Sequence, residues 1–268
     1  MVASLGLVYA SELVGTLFLV LLGNGVVFSV SHKRMFANQP GKWVVIALGW
    51  GFAVLAGIVV GVAMGGPAHL NPAVTIFALV SDKFAHPEWL GFIVMQFIGA
   101  ILAQIILDFI NWKHIQETDL ASVRGSHCTG PAFSNKEGGT IFNFSYELVG
   151  TLVLVGVILA VGKIVGPASI PEKSSGNIPE ITKINIKMIV MSIVTMIVMS
   201  IGLSIGASTG YAINPARDLG PRMLYWFMEK TFLRSREKEH IGANFGYGWI
   251  PVIAPMVGGA IIGFFAWI

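Results

Sequence analysis

Two triplets carry the most pointed chemistry in this chain: Asn71-Pro72-Ala73 and Asn214-Pro215-Ala216, 143 residues apart. Asparagine caps a helix, and proline fits the first helical position because its missing N–H has no partner there anyway. Each triplet therefore predicts a helix start, and each lies inside apolar sequence. An asparagine amide at such a start can donate a hydrogen bond to a neighbouring oxygen. Each helix N-terminus also carries about half a positive charge. Two of them facing one another would oppose cations and protons where they meet. Arg217, directly after the second triplet, adds a full positive charge. In apolar surroundings such a charge is costly and faces a polar cavity. The chemistry on offer is hydrogen bonding to neutral molecules and repulsion of cations.

Glu12 and Glu147 are two carboxylates in matching apolar contexts, "SELVGTL" (11–17) and "YELVGTL" (146–152). Two roles are open to them: proton coupling, or acceptance of hydrogen bonds from the unwound backbone before the nearest triplet. Their symmetry favours the second, with each glutamate bracing its own half. Covalent chemistry finds little support. "GLSIG" (202–206) matches G-x-S-x-G, but a nucleophile elbow needs a strand-to-helix turn and a histidine partner. Here the stretch reads as the end of an apolar helix, with small residues for close packing. His69 is the one histidine placed at the depth of the triplets, and no carboxylate partner is indicated for it. The other histidines form no metal-ligand spacing. The single cysteine, Cys128, rules out an intrachain disulfide and any cysteine-rich metal site. No cofactor or metal is expected.

The elements that hold these residues follow from composition. The 268 residues are 54% hydrophobic and 12% charged, about half the charge of a soluble domain, and mean hydropathy is +0.75. Apolar stretches near 5–30, 43–64, 88–110, 142–164, 184–206 and 248–268 are long enough to cross a hydrocarbon core ~30 Å thick. The reading is an all-α membrane protein in a lipid bilayer. A net charge of +3 without a basic stripe gives no sign of nucleic acid. No Lys or Arg precedes the first apolar run, which therefore reads as a first span rather than a signal peptide. With a cytoplasmic N-terminus, the inner loops hold Lys83, Lys163, Lys173, Lys183 and Lys187, and the outer loops hold ten cations. The positive-inside rule prefers the reverse.

The chain repeats itself. The shared ELVGTL and the paired triplets divide it into 1–111 and 142–268, each with three spans and one triplet segment. The stretch 112–141 is a polar connector, expected as a peripheral link. Three spans per half make the halves run in opposite directions, an inverted repeat whose site forms at the repeat interface. After Asn71 and after Asn214 the apolar stretch is too short to span. Six spans plus two half-helices, meeting by their N-termini, is the expected fold. Non-helical backbone at that depth is tolerated against protein or water. Gly66, Pro67, Ala68 and His69, with Gly210 and Ala212, are expected to line a water-filled path.

These residues resemble the major intrinsic protein family, the aquaporins, over essentially the whole chain. "NPARD" (214–218), "GPAHLNPAVT" (66–75) and "GNG" (23–25) are similar to its glycerol-facilitator branch. The resemblance implies a single channel domain, 1–268, in the plasma membrane. Such a channel passes glycerol, water and other small neutral solutes, excludes ions and protons, and performs no catalysis. It implies a selectivity constriction of Trp50, Gly202, Tyr211 and Arg217, with Gly202 widening the pore and Tyr211 standing where phenylalanine is usual. It implies that Asp218 marks the glycerol branch and pairs locally, and that the protein is a homotetramer. A water-selective channel would call for His at 202 and a residue other than Asp at 218. A proton-coupled transporter would need titratable groups along the path.

Overall fold

The computed structural model describes residues 4–165, 180–234 and 241–268. Of the loop cations named above, Lys173 lies outside them. The helices are α1 (Leu5–Ser31), α2 (Lys42–Ala63), α3 (Pro72–Ser81), α4 (Leu90–Ile110), α5 (Trp112–Glu117), α6 (Leu120–Gly125), α7 (Thr140–Val165), α8 (Glu180–Ser204), α9 (Pro215–Lys230), α10 (Phe245–Gly248) and α11 (Ile250–Phe265). No strand occurs among the described residues. Six helical stretches are long and apolar enough to cross a membrane, from α1, α2, α4, α7, α8 and the α10–α11 pair. Their bounds fall within a few residues of those expected from hydropathy alone.

The order long, long, short, long occurs twice. In the first half α1 packs against α2 and α4; in the second, α7 packs against α8 and α11. The short helices cross over: α3 lies on α11 of the other half, and α9 lies on α4. A seam between α2 and α8 completes the bundle. Small residues allow these approaches. A Cβ on Gly57 of α2 would stand 2.7 Å from the Gly15 carbonyl of α1, and one on Gly259 would strike the Ala73 carbonyl of α3. Between apolar helices in an apolar solvent, such backbone proximity is what holds the interface.

The two short helices start where proline permits. Pro72 and Pro215 each take the first helical position, and Asn71 and Asn214 cap them. The Asn71 side chain accepts from the Ala73 amide at 2.9 Å. The Asn214 side chain accepts from Ala216 and Arg217 at 3.1 and 3.2 Å. α3 has 10 residues, too short to span. α9 has 16 and ends in Glu229 and Lys230.

The connector is not a peripheral link. Ala132 donates its amide to the Ser208 carbonyl at 2.8 Å. Thr129 donates its amide and hydroxyl to Asp218 at 2.8 and 2.6 Å. The segment crosses over the approach to the second triplet and is tied to it.

Candidate functional site: a pore at the meeting of two half-helices

Each triplet is approached by backbone that no helix could supply. Ala68 and Leu70 have φ of +56° and +52°; Tyr211 and Ile213, 143 positions later, have +34° and +40°. Left-handed backbone at non-glycine residues is held only where the surroundings over-determine it. Two buried carboxylates do this. Glu12 accepts from the His69 and Leu70 amides, both at 2.7 Å. Glu147 accepts from Ala212 and Ile213 at 3.0 and 2.8 Å. Gln96 adds a third donor to Glu12 at 2.8 Å and bonds Thr75 at 3.0 Å.

The halves then lock to each other. The Asn71 amide donates to the Ile213 carbonyl at 2.8 Å, and the Asn214 amide to the Leu70 carbonyl at 2.8 Å. One N–H of each amide is thereby fixed and the other is left over. The carbonyls of Pro67, Ala68 and His69, and of Gly210, Tyr211 and Ala212, receive no hydrogen bond from the described residues.

A cavity of about 250 Å³ runs along this seam. Its polar wall is built from Pro67, Ala68, His69, Asn71, Ala212, Asn214 and Arg217. The rest of the lining is largely apolar, with Leu19, Val54, Ile58, Leu154, Val194 and Val198 from the long helices. Gly66 and Gly210 do not line it. A Cβ on Gly66 would strike the Ser11 hydroxyl, and one on Gly210 would meet Thr129 at 3.2 Å. Those two glycines permit packing behind the wall.

Trp50, Tyr211 and Arg217 stand together at the connector side of the cavity. The Arg217 guanidinium lies 4.0 Å from the centre of the Trp50 ring. Its burial over an aromatic face stabilises a cation without neutralising it. No described residue accepts a hydrogen bond from its side chain, so its planar fork of donors is left for whatever occupies the cavity. Gly202 departs from the expected role. It does not line the cavity: a Cβ there would stand 2.9 Å from Tyr211 Cζ and 3.0 Å from Ala47. The room left by Gly202 is filled by the Tyr211 ring. Trp43 completes this corner, donating its indole N–H to the Gly202 carbonyl at 2.9 Å and standing edge-on to Tyr211 at 5.8 Å. Sequence reasoning missed Trp43, although it lies two helical turns before Trp50 on the same face.

Asp218 faces away from the cavity. Arg222 bonds it at 2.9 and 2.8 Å, and reaches the carbonyls of Ala243 at 2.7 Å and Thr129 at 2.8 Å. This buried pair staples the connector and the segment before α10 onto α9. The His69 ring contacts Thr75 at 3.3 Å and no carboxylate among the described residues. Ser204, the G-x-S-x-G serine, is exposed and donates to the Ser200 carbonyl at 2.6 Å. Cys128 is 2% exposed, and burial pushes its thiol up to about 11.

Two half-helices capped by Asn-Pro-Ala, meeting inside a six-span bundle beside a buried arginine, define a class of membrane channel. Residues 4–266 match the family model described as "Major intrinsic protein", and the chain belongs to that family. It is 40% identical over 262 residues to a probable glycerol uptake facilitator protein of Mycoplasmoides gallisepticum, covering 95% of this chain and 94% of that one. It is 36% identical over 251 residues to the glycerol uptake facilitator protein of Streptococcus pneumoniae R6, covering 93% and 94%. Among solved structures, the aquaglyceroporin from Plasmodium falciparum superposes with a TM-score of 0.72 at 27% identity, covering 98% of this chain and 95% of that one.

Proposed function

We propose that this protein is a passive channel for glycerol in the plasma membrane, passing water and other small neutral solutes and excluding ions and protons. One observation carries the reading: a cavity lined by both asparagine caps, Arg217 and unpaired backbone carbonyls together with apolar side chains of the long helices. A polyol presents hydroxyls on one side and carbons on the other, and such a passage suits both. Trp50, Tyr211 and Arg217 form the selective constriction, with Gly202 acting through Tyr211. The free carbonyls of 67–69 and of Tyr211 and Ala212 accept solute hydroxyls. Asn71, Asn214 and Arg217 donate to solute oxygens, while the two helix N-termini repel cations.

No catalysis is involved. Both glutamates spend their oxygens on backbone amides, which supports the structural role over proton coupling. Residues 1–268 act as one channel domain, with 1–111 and 142–268 as its two repeats, and four copies assemble as a homotetramer. Stopped-flow light scattering on proteoliposomes tests the reading. Vesicles shocked with glycerol should re-swell far faster than protein-free ones and stay shrunken in sucrose. An imposed pH gradient should cause no glycerol accumulation. Re-swelling at the protein-free rate, or proton-driven accumulation, would reject it.

A further inference from the structure

A second concavity lies outside the pore, on an exposed flank at the ends of α4 and α9. It has a volume of about 760 Å³. Its walls are apolar, and the parts that project are aromatic: Phe109 is 83% exposed and Phe232 62%. Lys113 stands on its rim. Lys230 follows Phe227 by three residues on α9 and so shares its face.

Depth decides what kind of molecule fits. α9 starts beside Asn214, at the centre of the bundle. At 1.5 Å per residue, Leu224 lies about 15 Å from that centre, at the edge of a hydrocarbon core about 30 Å thick. Lys230 lies roughly 24 Å out, at headgroup depth. The groove therefore begins in hydrocarbon, continues as apolar surface into the headgroup zone, and ends in cations. The one carboxylate in its wall, Asp108, is held by the His127 ring at 3.1 Å and the Gln104 amide at 3.0 Å. Glu229 offsets part of Lys230's charge at 3.3 Å; Lys113 forms no ion pair with a described carboxylate. A cationic rim at headgroup depth complements an anionic headgroup.

We propose that this groove is a binding site for an anionic phospholipid, with one acyl chain lying between α4 and α9 and the phosphate on Lys113 and Lys230. The full-length protein, reconstituted in phosphatidylcholine with a minor fraction of phosphatidylglycerol and then re-extracted, should retain phosphatidylglycerol above its bulk fraction by mass spectrometry. Lys113→Ala and Lys230→Ala should each lower that enrichment roughly fivefold, the scale for one cation at an anionic surface. Leu224→Trp, which narrows the groove at its hydrocarbon end and keeps both lysines, should lower it as well. Glycerol flux serves as the check that each variant is folded. Equal retention of the two lipids by the unmodified protein would overturn the proposal. So would enrichment that survives both the lysine changes and Leu224→Trp. Copy-to-copy cross-linking through Phe227→Cys would also overturn it, assigning the groove to a protein contact.

Discussion

Tyr211 and Gly202 act as one unit at the residue scale. The ring occupies the space that a side chain at 202 would need, at 2.9 Å from an added Cβ. Gly202→His must therefore displace Tyr211 toward Trp50 and Arg217. Glycerol flux should fall several-fold more than water flux, measured on the same proteoliposomes; equal losses in folded protein would show that this corner does not discriminate by size. Arg217 stacks on the Trp50 ring and makes no hydrogen bond to a carboxylate among the described residues. Arg217→Ala should leave neutral flux in place and raise cation or proton leak above the vesicle background. Leak that stays at background would leave exclusion to the helix termini alone. Cys128 sits in a connector that does fold over the pore approach, yet its thiol is buried and held protonated at neutral pH. Mercury binds thiolate, so glycerol flux should resist low mercurial concentrations. Inhibition relieved by Cys128→Ser would mean that the connector opens in solution.

The half-helices show which features are readable at the scale of elements. Their starts are legible because capping is local: Asn, Pro and a short apolar run lie within a dozen residues. The spans are legible because hydropathy is local too. The partners of Glu12 and Glu147 follow from the repeat, which sets each carboxylate in the same ELVGTL context ahead of its own triplet, although the intervening chain is eight residues longer in the second half. What escapes the sequence depends on distant pairs. Thr129 meets Asp218 89 residues away, and Arg222 meets the Thr129 carbonyl 93 residues away. Nothing in "RGSHCTGPAF" (124–133) announces that it will lie across α9's approach. Gly202 misleads for the same reason, since the ring that covers it comes from a different turn of chain. The matched braces give a prediction. Glu12→Gln and Glu147→Gln each replace two acceptor oxygens by one, leaving a buried amide unpaired at a cost of about 1–3 kcal/mol. Both variants should melt below the unmodified protein in detergent by similar amounts. A loss confined to one of them would break the equivalence of the two halves.

Across the whole molecule, interlocking matters more than any single contact. His32, just past α1, is buried against Phe28 with its Nε2 unpartnered. Burial, with repulsion from His127 and His114, lowers its pKa from 6.5 to about 4. The unfolded chain therefore binds this proton more readily than the folded one. The contribution is complete above pH 6.5 and is lost as pH falls toward 4. Thermal melts should show stability dropping across that window, with a smaller drop in His32→Gln; identical pH profiles would remove His32 as the cause. The crossed packing of α3 on α11 and α9 on α4 has a further consequence, for the order in which the protein can be made. Asn71 finds its acceptor at Ile213, 142 residues later. α3 finds its surface on α11, the last helix of the chain. A ribosome delivering the first half releases a half-helix tethered through Glu12 and Gln96 but without its main packing surface. That surface and the acceptor for Asn71 come only with the second half, so the pore closes after both halves are made.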